Sequence, residues 1–217
     1  MSTTQGSLLT DDDMELMRIL HNAFRRDAAR LATVAQRYGT ADPETHDAVL
    51  IGWHGFSRSL HHHHTVEDRH IWPALRTKLA DRPDDLTVLD DMESEHALID
   101  PALEALEKAF DNREVARDEV AVRIDDLLTL LRSHLAHEEA DAFPLMRGWL
   151  TSQEWAAMNK ASVKELSLSE LAALGPFIVD GAPPDDVRRV LVELPPPLRL
   201  VHRFWWEPRY RRVRRWT

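Results

Sequence analysis

The stretch His63-His64-Thr65-Val66-Glu67-Asp68, followed by Trp72-Pro73, decides the fold because it occurs twice. It returns as His134-Leu135-Ala136-His137-Glu138-Glu139, followed by Phe143-Pro144. In both copies a His is followed four residues later by Glu, the next residue is an acid, and an aromatic-Pro pair stands at the same offset. Residues four apart lie on one face of an α-helix, so each copy directs an imidazole and a carboxylate the same way.

A further His precedes each copy. His21 stands 42 residues before His63, and His96 stands 38 residues before His134. This order predicts two similar antiparallel helical hairpins packed face to face, with four inward-facing helices. Apolar residues at three- and four-residue spacing place the His and Glu side chains on core-facing stripes. The stripes are Met14, Met17, His21, Phe24, Ala28 and Leu31, then Phe56, Leu60, His63, Glu67 and Ile71, then Met92, His96, Ile99, Leu103, Leu106 and Phe110, and finally Leu127, Leu131, His134, Glu138 and Leu145.

Composition agrees with an all-α protein. The 217 residues include 43% apolar residues and only seven Gly, and Ala, Leu, Glu and Arg are abundant between the prolines. The absence of Cys excludes disulfides, iron–sulfur clusters and a thiol nucleophile, so any metal must use nitrogen and oxygen ligands. No signal-peptide pattern and no long apolar segment is present, which predicts a cytoplasmic protein without a membrane span.

The buried carboxylates indicate a metal site. Unpaired Glu67 and Glu138 on inward faces would each cost several kcal/mol, unless a positive charge lies between them. Two opposed Glu can bridge two divalent ions, and four His supply two nitrogen ligands to each ion. The predicted ligands are His21, His63, Glu67, His96, His134 and Glu138. A buried network of protonated His and Glu is the structural alternative.

These residues resemble the pattern of bacterial proteins of the hemerythrin-like (HHE cation-binding) family, over roughly residues 11–148. The acid pairs and the aromatic-Pro steps belong to the resemblance. It implies an up-down-up-down four-helix bundle that holds a non-haem centre of two iron ions, oxo- or hydroxo-bridged. In that centre Glu67 and Glu138 would be the bridging carboxylates. The terminal ligands would be His21, His63, His96 and His134.

The chain departs from the oxygen-carrying hemerythrins at the third helix. Those proteins place two His one turn apart there, whereas Met92 and Asp100 stand four residues to either side of His96. Their fourth-helix motif also ends in an Asp one residue further on. Either a coordination position is left open to water or substrate, or another side chain completes the shell. The candidates for that role are Asp100, His64, His70 and His137.

Further His residues surround the motif. An open position favours chemistry over storage, and His70, one turn beyond Glu67, is predicted to act in catalysis together with Glu67 and Glu138. His64 is expected to pair with Asp68. His61 is predicted to be exposed, because four adjacent helical residues cannot all face inward. His137 could orient a ligand through a hydrogen bond.

Residues 149–217 are predicted to form a C-terminal helical extension with a basic, aromatic tail. Its first part is expected to be a lid of short helices over one end of the bundle, with Gly175-Pro176 ending one of them. Residues 198–217 carry seven Arg and one Glu, a net charge of +6. Because the whole chain carries −10, the residues before them carry −16. The tail is expected to dock on the acidic bundle with its aromatic side chains buried; nucleic acid or lipid is the alternative partner.

Three functions remain open at this level. The first is a di-iron oxidoreductase, peroxidase- or catalase-like, that turns over hydrogen peroxide or nitric oxide. The second is an oxygen- or iron-binding sensor or buffer without turnover. The third is a metal-stabilised interaction protein. The expected partner is therefore a small molecule, namely oxygen, peroxide or nitric oxide, and the acidic bundle argues against nucleic acid. Both a monomer and a dimer are compatible with the sequence.

Overall fold

A computed structural model describes residues 6–35, 43–112 and 115–216. Within these residues the chain folds into α-helices joined by short connections, with three π-helical turns. The stretch Tyr38-Gly39-Thr40-Ala41-Asp42-Pro43 predicts a turn, but its residues up to Asp42 lie outside the described residues. The helices are α1 (Asp11–Ala35), α2 (Pro43–Val66), α3 (Trp72–Lys78), α4 (Pro83–Asp111), α5 (Arg117–His137), α6 (Phe143–Trp149), α7 (Ser152–Glu165), α8 (Leu168–Val179), α9 (Pro184–Glu193), α10 (Pro196–Val201) and α11 (Glu207–Arg212).

Helices α1, α2, α4 and α5 form an up-down-up-down four-helix bundle, which confirms the predicted architecture. Contacts run in opposite directions along each neighbouring pair. On α2 and α4, for example, Trp53 bonds to Glu107 whereas Asp68 bonds to His96. Between α4 and α5, Glu95 bonds to His134 and Arg123 bonds to Ala105. Between α1 and the α5–α6 segment, His21 bonds to Glu139 and Asp11 bonds to Arg147.

The predicted core stripes are buried, except that Leu145 is half-buried. The apolar core has two parts, one around Phe24, Trp53 and Phe56 and the other around Trp72 and Phe143. The His and Glu side chains of the motif form a polar layer between them. The ring of His63 packs on Phe24, with centroids 5.3 Å apart, and the ring of His21 packs on Phe143 at 5.5 Å. The polar layer is thus sealed on both sides by aromatic rings.

A π-helical turn follows each copy of the motif. One spans Glu67–Ile71 and the other Glu138–Ala142, and a third, His202–Trp206, lies in the tail. Each turn ends two residues before a proline, at Pro73, Pro144 and Pro208. The ring of such a proline crowds the carbonyl four residues back, and the proline has no N–H to donate. A wider turn relieves this crowding. Prolines 101 and 176 lie within α-helices without such a turn, so proline favours the wider turn without dictating it.

Side-chain caps fix three helix starts of the described chain, at Thr10, Thr151 and Ser167. The sequence predicts each of them from a Thr or Ser that stands just before acidic residues. Thr10 caps α1 through its hydroxyl, which accepts from the Asp13 N–H. Capping boxes begin α7 and α8. The predicted stop at Gly175-Pro176 is wrong, because α8 continues to Val179. Gly175 instead permits close approach of the tail: a Cβ there would lie 3.3 Å from the Cδ2 atom of His202.

The extension lies along the side of α1 and α2, not over an end of the bundle as predicted. Helix α7 starts at the bundle end, where the Trp155 indole donates to the Asp13 carbonyl, and runs up to His70, whose Nε2 lies 3.0 Å from Glu165. Helices α8 and α9 cover Ile19, an apolar residue outside the predicted stripe of α1. This second apolar face of α1 explains why the extension lies along the side of the bundle. The division at residue 149 into bundle and extension stays a prediction.

The end of the tail docks on the bundle. The ring of Trp216 covers Gly52 so closely that a Cβ there would lie 2.5 Å from the indole. The Trp216 N–H donates to the Ala48 carbonyl, and its indole N–H lies 3.3 Å from the buried carboxylate of Asp27. Phe204 and Trp205, by contrast, are exposed, so the expectation of buried tail aromatics holds only in part. No helix of the described chain is long and apolar enough to cross a membrane.

Candidate metal centre

Seven buried side chains form two adjacent groups in the polar layer, and they come from α1, α2, α4, α5 and the π-helical turns that follow α2 and α5. Within each group the potential ligand atoms lie within 4.8 Å of one another. Ligands about 2.0 to 2.2 Å from a common ion lie at comparable separations, so each group can hold one ion after small adjustments. The first group is His21, His63, Glu67 and Glu138, and the second is His64, His96 and His134. All six ligands predicted from the sequence are included.

Glu67 connects the two groups. Its Oε1 lies 3.2 Å from the Nε2 atom of His63, and its Oε2 lies 3.5 Å from the Nε2 atom of His96. One carboxylate oxygen therefore faces each group, as a bridging carboxylate requires. Glu138 lies opposite, with its Oε2 3.2 Å from the Nε2 atom of His21 and 3.9 Å from that of His134. Both Glu side chains are fully buried.

Many polar atoms of this layer are not satisfied by the protein itself. Both carboxylate oxygens of Glu67 and of Glu138, both ring nitrogens of His64, and the Nε2 atoms of His96 and His134 have no hydrogen-bond partner in the described residues. Buried polar groups in folded proteins are nearly always bonded, because leaving them unpaired costs free energy. Eight orphaned atoms within one layer fit a site for cations with nitrogen and oxygen ligands.

Three of the imidazoles are held by carboxylates on their outer side. The Nδ1–H of His21 donates to Glu139, and that of His96 donates to Asp68, both at 2.8 Å. His21 of the first repeat is therefore held by the acid after Glu138 of the second, and His96 of the second repeat is held by the acid after Glu67 of the first. This bond fixes the ring orientation and the tautomer, and it leaves Nε2 free to face the centre. The expected pairing of His64 with Asp68 is wrong, because Asp68 is engaged by His96.

A third carboxylate, Glu95, serves two His residues. Its Oε2 accepts from the Nδ1–H of His134 and its Oε1 from that of His137, both at 2.8 Å. His137 thus acts on His134 through Glu95, which refines its predicted orienting role. Sequence reasoning did not assign Glu95 a role. The available signal was its position one residue before His96, within reach of the neighbouring helix.

The two repeats differ where His64 faces the second group. Its ring stacks on His96 with centroids 4.1 Å apart and an interplanar angle of 12°, and it meets His134 edge-on at 5.2 Å. The carboxylate of Asp100 lies 3.6 Å from its Nδ1. In the second repeat Leu135 occupies the equivalent position. The second group therefore has three imidazoles, whereas the first has two.

The other candidates lie away from the ligand atoms. The Nε2 of His70 contacts Glu165 of the extension, and neither ligand group includes His70. Its predicted catalytic role stays a prediction and gains no support from this position. His61 is exposed, as predicted, and its Nδ1 lies 3.6 Å from the outer side of Asp100. Of the four candidates for completing the shell, only His64 belongs to a ligand group.

The electrostatics of the layer divides its imidazoles into two kinds. Burial opposes a charge on His21, but the carboxylates of Glu138 and Glu139 outweigh it and raise the pKa of His21 to about 9. Burial and the adjacent imidazoles hold the pKa of His63 well below its ordinary value. Burial also lowers the pKa of His64 to about 4. His63 and His64 are therefore neutral at physiological pH, which is the form that binds metals.

The two central carboxyl groups titrate as a pair. Burial and the neighbouring Glu138 raise the pKa of Glu67 well above its ordinary value. Burial has the same effect on Glu138, but the positive charge of His21 outweighs it and lowers the pKa of Glu138. By themselves the ligands thus retain a proton on Glu67 and another on His21. A cation that binds here must displace both protons.

Comparison with known proteins agrees with this geometry. The family model of the hemerythrin HHE cation-binding domain matches residues 12–146. The chain belongs to this family, as its motif predicted. Among the curated proteins and the solved structures, nothing matches the chain. The match covers the four-helix bundle and every member of both ligand groups, and it ends before the extension.

Proposed function

We propose that the protein is a non-haem di-iron oxidoreductase that turns over a small oxidant, with hydrogen peroxide as the first substrate to test and nitric oxide as the second. The observation that carries the proposal is the pair of facing ligand groups joined by Glu67. Each group would hold one iron ion, and the carboxylates of Glu67 and Glu138 would supply oxygen ligands between the two ions. Imidazole and carboxylate ligands suit iron and also zinc and manganese, so the metal itself belongs to the proposal.

The uneven number of imidazoles supports turnover. We assign His64, His96 and His134 to one iron position, and His21 and His63 to the other. With one nitrogen ligand fewer, the position held by His21 and His63 would have room for a substrate atom or for water. The ligands are buried beneath Phe24 and Phe143, so only a small molecule can reach that position. Peroxide and nitric oxide both meet this condition.

Hydrogen peroxide fits the chain for a further reason. In its disproportionation one molecule is oxidised to oxygen while another is reduced to water, so no outside electron donor is required. A bound iron pair would supply the redox couple for this reaction. The protein would hold the imidazoles through Glu139, Asp68 and Glu95, exclude bulk water through the aromatic rings, and hold the iron ions through the carboxylates of Glu67 and Glu138.

The first experiment is metal analysis together with the visible spectrum of protein purified from iron-supplemented cells. We expect two irons per chain, with near-ultraviolet bands from the bridged pair. Steady consumption of peroxide, or of nitric oxide in the presence of peroxide, should follow. Glu67→Ala and His134→Ala should lower turnover by about 100-fold or more. If turnover survives both changes, the proposal is wrong.

A sensor or buffer without turnover is the second candidate, and one contact favours it. The ring of Phe177 on α8 packs against Phe24 at 6.0 Å, and Phe24 in turn packs against the ligand His63. A change at the metal could reach the extension along these rings. A reversible spectral change under oxygen without peroxide consumption would favour this function. Retention of fold and partner binding after complete metal removal would instead favour a metal-stabilised interaction protein.

A further inference from the structure

The tail presents an apolar cap on the outside of the molecule. Helix α10, the third π-helical turn and α11 turn their inner side to the extension, with His202 fully buried. On the outer side Leu200, Phe204 and Trp205 are 60%, 64% and 72% exposed. Burying such side chains stabilises a folded chain, and this segment leaves three of them in water. The fold does not explain them.

Arg203, Arg209 and Arg212 are exposed residues of the same tail segment as the cap. The guanidinium of Arg203 lies 5.7 Å from the ring centre of Phe204. Neither Arg203 nor Arg209 nor Arg212 forms an ion pair with a carboxylate of the described chain, although other tail arginines do, such as Arg211 with Glu207. Unpaired guanidinium groups beside exposed aromatic rings can bind an anionic partner through charge and apolar contact together.

We infer that this cap of Leu200, Phe204 and Trp205, together with Arg203, Arg209 and Arg212, binds the surface of an anionic phospholipid membrane. Trp and Phe rings partition into the headgroup region, and nearby Arg side chains bind anionic headgroups. The charge distribution would orient the molecule: the tail carries +6 and the preceding residues −16, so an anionic surface attracts the tail and repels the bundle. The inference is independent of the proposed function.

The size and shape of the cap favour a membrane over other partners. A stable protein interface buries roughly 800 Å² on each partner, supplied by about 20 to 30 residues. Three apolar side chains fall short of that, which argues against a second copy of this chain. The cap also projects from a helical segment instead of lining a groove, and single-stranded nucleic acids are bound in grooves. A membrane surface requires only a projecting cap.

Vesicle sedimentation with the full-length, metal-loaded protein tests the inference. We expect binding to vesicles of equal parts phosphatidylcholine and phosphatidylglycerol, weaker binding at higher salt, and none to phosphatidylcholine alone. The double variant Phe204→Ser, Trp205→Ser should bind about tenfold more weakly or worse. The matched control is Leu168→Ser, Val192→Ser, which changes two exposed apolar residues of α8 and α9 and should bind like the parent protein.

A second variant tests the charge. Arg203→Gln, Arg209→Gln, Arg212→Gln should remove the preference for anionic vesicles. The metal content and circular dichroism of each variant establish that it is folded. Equal binding to both vesicle types, no binding, or unchanged binding of the aromatic double variant would each overturn the inference. So would a parent dimer that the double variant abolishes, or tighter binding to an oligonucleotide than to the anionic vesicles.

Discussion

The difference between His64 and Leu135 determines how the two ligand groups differ. The sequence contains four adjacent His residues, and helical periodicity selects His63 as the one that matches the second repeat. Periodicity does not predict whether His64 is buried, because its side chain lies 100° further round the helix than that of His63. A residue there faces the core or the solvent according to how closely the neighbouring helices approach. In the structure α4 approaches closely enough for the His96 ring to stack on His64.

We expect His64→Leu, which copies the second repeat, to weaken binding at one metal position by about 10- to 100-fold while the other position still fills. Chelator competition with metal analysis measures both affinities. The control is His61→Leu, whose parent side chain is 67% exposed and should not affect binding. Two unchanged affinities in His64→Leu would show that this imidazole is not a ligand.

The carboxylates that hold the outer side of the imidazoles also influence metal binding. Partial burial raises the pKa of Glu139, but His21 and Arg25 outweigh it and lower that pKa to about 2, so Glu139 remains charged. We expect Glu139→Gln to lower the pKa of His21 from about 9 toward its ordinary value and to weaken metal binding about tenfold. An NMR titration of the metal-free protein and a competition assay measure the two effects. Asp126→Asn, an exposed change on α5, should produce neither effect.

At the level of helices, the sequence predicted what depends on apolar periodicity and missed what depends on local packing. The four stripes and the capping boxes are present as predicted. The π-helical turns were missed, because a change from four- to five-residue hydrogen bonding leaves the apolar pattern nearly unchanged. The stop at Gly175-Pro176 was wrong since tertiary contacts, including the approach of His202, support α8 beyond its proline.

Two glycines of α2 provide a matched pair for the docking of the tail. A Cβ at Gly52 would lie 2.5 Å from the Trp216 ring, whereas one at Gly55 would meet nothing within 4 Å. Gly52→Ala should therefore destabilise the protein by about 1 to 3 kcal/mol or release the tail to proteolysis. Gly55→Ala should be neutral or stabilise by up to about 1 kcal/mol, because Ala favours helix. Denaturant unfolding and limited proteolysis compare them. Equal behaviour would contradict the docked position of Trp216.

For the whole molecule, the repeat predicted the bundle, but nothing in the repeat could position the extension. Its position depends on Ile19, an apolar residue that the stripe of α1 does not include and that Val179 and Val190 cover. Single-sequence periodicity identifies one apolar face of a helix more readily than two. The position of the extension therefore became evident only from the packed structure.

The protonated ligands make metal binding depend on pH. Because the metal-free pKa of His21 is raised to about 9, a proton must leave when a metal binds below that pH. The apparent affinity should rise with pH, by about tenfold per unit for each proton displaced, and its slope should decrease above about pH 9. Chelator competition across this range measures the dependence. A pH-independent affinity would contradict the proton on His21.

The same proton affects the stability of the metal-free protein, with a definite sign. A raised pKa in the folded state stabilises that state fully below the unfolded pKa of about 6.5, and this contribution is lost as the pH rises toward about 9. The raised pKa of Glu67 acts in the same direction. The metal-free protein should therefore melt at a lower temperature near pH 9 than near pH 6.5. The melting temperature of the metal-loaded protein should decrease less between the two pH values. Calorimetry of both forms provides the comparison.

The exchange of carboxylates between the repeats makes each hairpin dependent on the other. Asp68 of the first hairpin holds His96 of the second, and Glu139 of the second holds His21 of the first. A chain divided in the connection between α3 and α4 would thus yield two fragments, neither of which contains a finished position for an ion. The two fragments would therefore bind the metal only when they bind each other. Association of the two halves would then report directly on whether the metal centre has formed.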